Sequence, residues 1–232
     1  MNKYSEHIKE RIINSQNKEK SIWLENYVKH DIKSLGVGIP EIRKVIIDIN
    51  NEFELSNLDL SEQTIFLDDL IQNQYTEIKL AAILYIQLFW QKTATNTTLK
   101  LISDWFDKEW ISDWNVCDWL CVRIISPLID TNPEITINEL TNWNKELYLW
   151  KARASLVPFA QCKSLKAYNL VITQFSETLI KRPERFCKTA VGWVLREYSK
   201  IDRSFVISFL EQYMDYTTKE VITNATKYFK TN

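Results

Sequence analysis

FCKTAVGWVLREYSK, residues 186–200, repeats apolar side chains at helical spacing. That is the three-and-four spacing of one helix face, and it lacks the strict alternation of a half-buried strand. Comparable spacing runs through almost all of the 232 residues. It predicts helices near 2–15, 18–32, 40–53, 60–72, 75–92, 97–108, 114–129, 136–146, 148–161, 164–180, 184–200, 203–214 and 217–230. The residues between them read as helix ends: Ser61 as a cap, Pro40 as a first helical residue, and Asn132-Pro133 and Arg182-Pro183 as breaks. Pro158 falls late in its helix and is expected to kink or end it.

Three glycines and five prolines in the whole chain point the same way. A sheet protein needs these residues at its many tight turns, so their scarcity implies few turns and long regular elements. With 45% apolar and 25% charged residues, the chain can bury a sizeable core. The expected class is all-α, as one domain over residues 1–232. Helices pair as antiparallel hairpins with a period of roughly 35–40 residues, the spacing of a superhelical solenoid with a concave face. A globular bundle of the same helices satisfies the periodicity equally.

No run approaches the roughly 20 apolar residues of a membrane span. The start, MNKYSEHIKERIINS, lacks the apolar core of a signal peptide. A cytoplasmic protein without membrane contact is expected. Cys117 and Cys121 lie one helical turn apart, but no second pair completes a zinc site, and His7 and His30 are remote in sequence. With Cys162 and Cys187 they read as free thiols; no metal and no cofactor is expected. There is also no glycine-rich nucleotide loop and no nucleophilic serine–histidine pairing.

The net charge of −1 and pI near 6.2 conceal an uneven distribution. Residues 1–45 carry nine Lys/Arg against six Asp/Glu, and residues 139–200 carry eleven against five. Residues 46–138 carry five against fifteen. Part of the surface can therefore be basic, as a polyanion partner requires, although solvated helix faces give the same pattern.

DWNVCDWLCVR, residues 113–123, sets a carboxylate, Asp118, among tryptophans. Residues 105–119 hold four tryptophans (Trp105, Trp110, Trp114, Trp119) interleaved with Asp104, Asp107, Asp113 and Asp118. Trp114 and Asp118, at i and i+4, share one helix face. A ring face and an adjacent anion both stabilise a cation. Cleavage of an N-glycosidic bond develops such a cation at the sugar, and a fixed carboxylate there lowers the barrier or orients the attacking water. A structural ion pair of Asp118 with Arg153 or Arg123 is the alternative.

Four segments, LGVGIPEIRKV (35–45), DWNVCD (113–118), LWKARAS (149–155) and FCKTAVGWVLREYSK, resemble in order and separation the AlkD-like DNA alkylation repair glycosylases. The resemblance covers essentially the whole chain, and the Gly-Trp-x-Leu-Arg-Glu-Tyr-x-Lys word is its most specific part. It implies a solenoid of HEAT-like repeats whose concave face binds DNA. It also implies an enzyme excising positively charged alkylpurines, such as 3-methyladenine and 7-methylguanine, from duplex DNA without flipping the base into a deep pocket. In this sequence Asp118 matches the catalytic carboxylate, Trp114 and Trp193 the two sugar-contacting tryptophans, and Arg153 the arginine near the backbone. Arg196 and Lys200 follow Trp193 by three and seven residues and are expected at phosphates, with Lys188 and Lys151 as further contacts and Arg43 and Lys44 reaching DNA from the first segment.

The chain departs from the family's Trp-Trp-Asp-x-Val-Asp word at Asp113, Asn115 and Cys117, and Ala152 replaces the first of a common arginine pair. These differences and the low pI bear on DNA affinity more than on chemistry. The expected partner is double-stranded DNA containing alkylated bases, bound by a monomer in the bacterial cytoplasm, at the nucleoid. Two other readings fit the scaffold: a non-catalytic binder of damaged or branched DNA, and a repeat scaffold that meets protein partners through its acidic 46–138 surface.

Overall fold

Asn2 turns the chain into its first helix by accepting, through Oδ1, the backbone N–H groups of Tyr4 and Ser5 at 2.9 and 3.4 Å. The computed structural model describes residues 2–29 and 31–229. Within them Asn17, Asp202 and Thr218 cap three more helices in the same way. His30 and the final position of the expected helix 217–230 lie outside the described residues, as does position 30 of the expected helix 18–32.

Contacts gather the chain into two units, Met1–Trp119 and Leu120–Asn232. The first holds α1 (Lys3–Asn14), α2 (Lys18–Tyr27), α3 (Ile39–Phe53), α4 (Leu60–Ile71), α5 (Thr76–Phe89), α6 (Thr95–Asp107) and the start of α7 (Trp114–Leu120). Here α5 is buried along an unbroken run from Thr76 to Ile86. It can be buried on every side because α3 and α4 pack on it and α1 packs on all three. Gln63 enters that core with its polar atoms satisfied. Its Oε1 accepts from Tyr85 Oη at 3.0 Å and Trp90 Nε1 at 2.7 Å, and its Nε2 donates to the Leu58 carbonyl at 2.7 Å.

The second unit holds α8 (Ser126–Thr131), α9 (Pro133–Trp143), α10 (Leu149–Leu156), α11 (Asn169–Ile180), α12 (Arg185–Tyr198), α13 (Arg203–Gln212) and α14 (Lys219–Ala225). Its centre is α12, packed against α10, α11 and α14. The spacing read from residues 186–200 is realised there: Cys187, Ala190, Val191, Val194, Leu195 and Tyr198 are all buried. Val191, Val194 and Leu195 each contribute about 1.5–3 kcal/mol relative to an exposed side chain. Gly192 lies among them because α14 comes close. A Cβ added there would stand 3.2 Å from Val221 Cα and 3.3 Å from its carbonyl oxygen.

The all-α class is as expected. Among the described residues β structure is limited to one bridge, between Lys33 and Tyr75, and no helix is long and apolar enough to cross a membrane. Boundaries differ in instructive places. α4 starts at Leu60 behind Asp59, so Ser61 lies inside its first turn instead of capping it. Pro40 is the second helical residue of α3, behind Ile39. Pro158 ends its helix: α10 stops at Leu156, and Val157–Gln161 continue as a 3-10 turn. The helix expected over 114–129 is interrupted at Cys121–Ile125 by a π-helical turn, in which the Ser126 N–H reaches the Cys121 carbonyl. Pro127 follows directly and has no N–H for the ordinary ladder, and the widened turn accommodates that loss.

Candidate functional site

Asp113 starts α7. Its Oδ1 accepts the Val116 N–H at 2.9 Å, and its carbonyl accepts the Cys117 N–H at 3.2 Å, so it stands in the N-cap position. The carboxylate is 3% exposed. Burial pushes its pKa up, against the pull of the Val116 N–H and of the Lys79 charge. Lys79, on buried α5, donates to the Trp110 carbonyl, and burial holds its pKa below the usual lysine value. Asp113, which departs from the family word, thus does structural work at the head of α7. Asp113→Ala is expected to lower stability by about 1 kcal/mol or more through loss of the cap, with Asp113→Asn retaining the acceptor and part of the stability. Urea midpoints and the hydrogen-exchange rate of the Val116 amide measure this. Equal midpoints for the two variants would refute the capping role.

From this start, α7 carries Trp114 and Asp118 one turn apart, both half-buried. The Tyr27 ring meets Trp114 edge-on, with centroids 5.6 Å apart at 66°. Tyr27 in turn stacks on Trp23 at 5.4 Å and 6°. The result is an aromatic row on the first unit, and its outer rings, Trp23 and Tyr27, are 64% and 59% exposed. Sequence reading missed both. They stand at i and i+4 on α2, but nothing in a sequence separates an exposed ring pair from a core one.

Buried Glu77 organises the neighbouring 34–38 loop. Its carboxylate accepts from Ser34 Oγ at 2.6 Å, Leu35 N at 2.9 Å and Gly36 N at 2.8 Å. Behind that loop a cavity of about 450 Å³ opens within the first unit. Trp23, Val37, Leu80 and Trp119 line it, along with Asn115. Arg43 and Lys44 lie on the helix that follows the loop. Arg43 is half-buried and donates to Gln87 Oε1 at 3.0 Å, while exposed Lys44 pairs with Asp48 at 2.5 Å.

The remaining candidates belong to the second unit. Trp193 is half-buried on α12, and its indole Nε1 has no hydrogen-bond partner among the described residues. The Arg196 guanidinium lies 5.9 Å from the centroid of that ring, pairs with Glu197 at 2.8 Å and donates to Asn224 Oδ1 at 3.2 Å. Lys200, beyond the end of α12, is exposed and 2.5 Å from Glu197. Lys188 donates to the Tyr216 carbonyl at 2.5 Å. Arg153 is only 4% exposed. Its Nη1 donates to the Phe186 carbonyl at 2.6 Å and to Thr189 Oγ1 at 3.2 Å, fastening α10 to the first turn of α12. Lys151 is equally buried, 3.7 Å from Glu146. The structure therefore brings Trp114 beside Asp118 on one helix, and Trp193 beside Arg196 on another.

A half-buried carboxylate next to a ring face stabilises positive charge better than either group in open water, because the local dielectric is lower. The model of a protein family described as DNA alkylation repair enzyme matches residues 8–229 of this chain. A solved structure described as a predicted DNA alkylation repair enzyme from Enterococcus faecalis superposes with a TM-score of 0.74 at 17% identity, covering 94% of this chain and 98% of that one. At that identity the likeness concerns the fold. No curated protein matches.

Proposed function

This chain belongs to the DNA alkylation repair enzyme family, and we propose that its reaction is hydrolysis of the N-glycosidic bond of positively charged alkylpurines, 3-methyladenine and 7-methylguanine, in duplex DNA. The observation that carries the reading is the Trp114–Asp118 face, held at the start of a helix by the buried Asp113 cap. In an N3- or N7-alkylated purine the base already bears a positive charge. When the bond from C1′ to the base breaks, its electron pair neutralises that charge and the sugar takes up oxocarbenium character. Asp118 stabilises this developing cation by charge, and the face of Trp114 does so by its quadrupole; Trp193 stays in this reading as the residue that matches the family's second sugar-contacting tryptophan. Water adds at C1′ and loses its proton, leaving free base and an abasic site. Neither a metal nor a covalent enzyme intermediate is required.

Arg43, Lys44, Lys188, Arg196 and Lys200 are the cations in this reading that reach phosphates from half-buried or exposed positions. Glu197 beside Arg196 and Lys200, and Asp48 beside Lys44, offset part of their charge. Binding to undamaged duplex is accordingly expected to show a slope of log K against log salt of about −3, a loss on the order of fiftyfold between roughly 50 and 200 mM. A salt-independent affinity would remove phosphate contact from the account.

The deciding experiment is chromatography of free bases after incubating the protein with methylated duplex DNA. Release of 7-methylguanine or 3-methyladenine above the spontaneous rate is the expected result. Tight binding without release of either base would overturn the glycosylase reading and favour a non-catalytic binder of damaged DNA.

A further inference from the structure

Lys79 is a buried charge that the mechanism above does not use; on α5 it is 8% exposed. Its ammonium donates to the Trp110 carbonyl and faces the buried Asp113 carboxylate. Burial disfavours both charges, and each offsets part of that cost for the other. Both contacts fall on residues 108–113, the connection from α6 to α7. At its α6 end the Glu109 and Trp110 N–H groups donate to the Phe106 and Trp105 carbonyls at 2.9 and 3.0 Å. The chain there passes through Glu109 at φ +56°, a left-handed conformation that its surroundings must hold. At the α7 end a cavity of about 410 Å³, lined by Lys79, Ser112 and Asp113, borders the connection. A polar tether thus acts on a side where packing does not.

α7 begins where this connection ends. Asp113 caps it, and Trp114 and Asp118 follow on its first turns, so a shift of residues 110–113 moves both together. Asp113 and Asp118 also repel each other, and the Lys79 charge offsets the carboxylate at the cap. We propose that Lys79 is a positioning residue for the reaction: by holding the Trp110 carbonyl and Asp113 it fixes the direction of α7 and keeps Trp114 and Asp118 where they meet the sugar. The proposal rests on the glycosylase reading given above and adds to it a residue that touches neither base nor sugar. A misplacement of about 1 Å at a reacting centre costs on the order of a hundredfold in rate.

The test uses Lys79→Met, which keeps the apolar stem without the charge, and the same change combined with Asp113→Asn. The double variant leaves no buried charge unpaired at this site, and its amide still accepts the Val116 N–H, so it folds even where the single variant does not. Ile12→Ala, a core truncation on α1, serves as a control for lost stability. Single-turnover release of 7-methylguanine at saturating protein, affinity for undamaged duplex and the urea midpoint are measured for each. Both Lys79 variants are expected to release base on the order of tenfold to a hundredfold more slowly at unchanged DNA affinity, while folded Ile12→Ala keeps the wild-type rate. In an Asp118→Asn background Lys79→Met should add far less, because it acts through the carboxylate it places. Full multiplication of the two effects, wild-type release by the folded double variant, or equal slowing in Ile12→Ala would each overturn the proposal. The indole N–H resonance of Trp114 gives a readout that needs no activity. It should shift in both Lys79 variants and stay in place in Ile12→Ala, and an unmoved resonance would remove the positioning role. A wild type that releases no base would sink the glycosylase reading first, a distinct result.

Discussion

Asp118→Asn is expected to slow release of 7-methylguanine and 3-methyladenine from methylated duplex DNA on the order of tenfold to a thousandfold, or about 1 to 4 kcal/mol of barrier. Asparagine keeps the size of the side chain and one of its oxygens while removing the charge. What is lost is therefore the electrostatic part of Asp118's action. The residue is half-buried on α7, where a unit charge acts on a developing cation through less water than at an open surface. Loss of a merely structural partner would lower the urea midpoint along with the rate, so both belong in the measurement. DNA affinity should not fall, since an anion facing a polyanion has been removed. Release at the wild-type rate by the variant would move the catalytic work to another group. A fall in rate that tracks a fall in stability would make Asp118 a structural residue.

How far the sequence discloses this arrangement depends on the range of the contacts involved. The helix near 184–200 was legible because helical spacing is local, and the same is true of Trp114 beside Asp118 at i and i+4. The approach of Val221 of α14 to Gly192 joins positions that no local spacing connects. The π-helical turn at Cys121–Ile125 was not legible, since Pro127 alone does not say whether a helix kinks, ends or widens. Contacts distant in sequence were hidden altogether. Lys79 meets the residues around Asp113 only because α5 is the buried centre of its unit. Arg153, expected from the family word at the DNA backbone, spends donors on Phe186 and Thr189, which no spacing rule connects to it. The exposed Trp23–Tyr27 stack was hidden for another reason. Its spacing is that of any amphipathic helix, and exposure belongs to the packed structure.

Gly36→Ala is the substitution expected to damage the fold most, by roughly 3 to 5 kcal/mol, against at most about 1 kcal/mol for Gly38→Ala two residues on. Gly36 has φ +72°, in the left-handed region where a side chain is strained whatever the space. Space is lacking as well. An added Cβ would lie 2.1 Å from the Asn17 carbonyl oxygen and 2.5 Å from the Ser21 amide nitrogen, both backbone atoms at the start of α2. Neither can yield without moving that helix, and the Gly36 amide is simultaneously held by Glu77 and by Ser34 Oγ at 2.8 and 3.0 Å. Gly38 differs in kind. Its φ of −72° is ordinary, and its Cβ would meet Glu41 Oε2, the far end of a side chain that can turn away. Urea unfolding of the two variants beside wild type makes the comparison, and equal midpoints would show that the loop relaxes freely. Because Val37 and Gly38 line the cavity and α2 carries Trp23 and Tyr27, Gly36→Ala should also shift the stacked rings. Indole fluorescence, which reports Trp23 among the nine tryptophans, should then change below the unfolding transition in Gly36→Ala and stay as in wild type in Gly38→Ala.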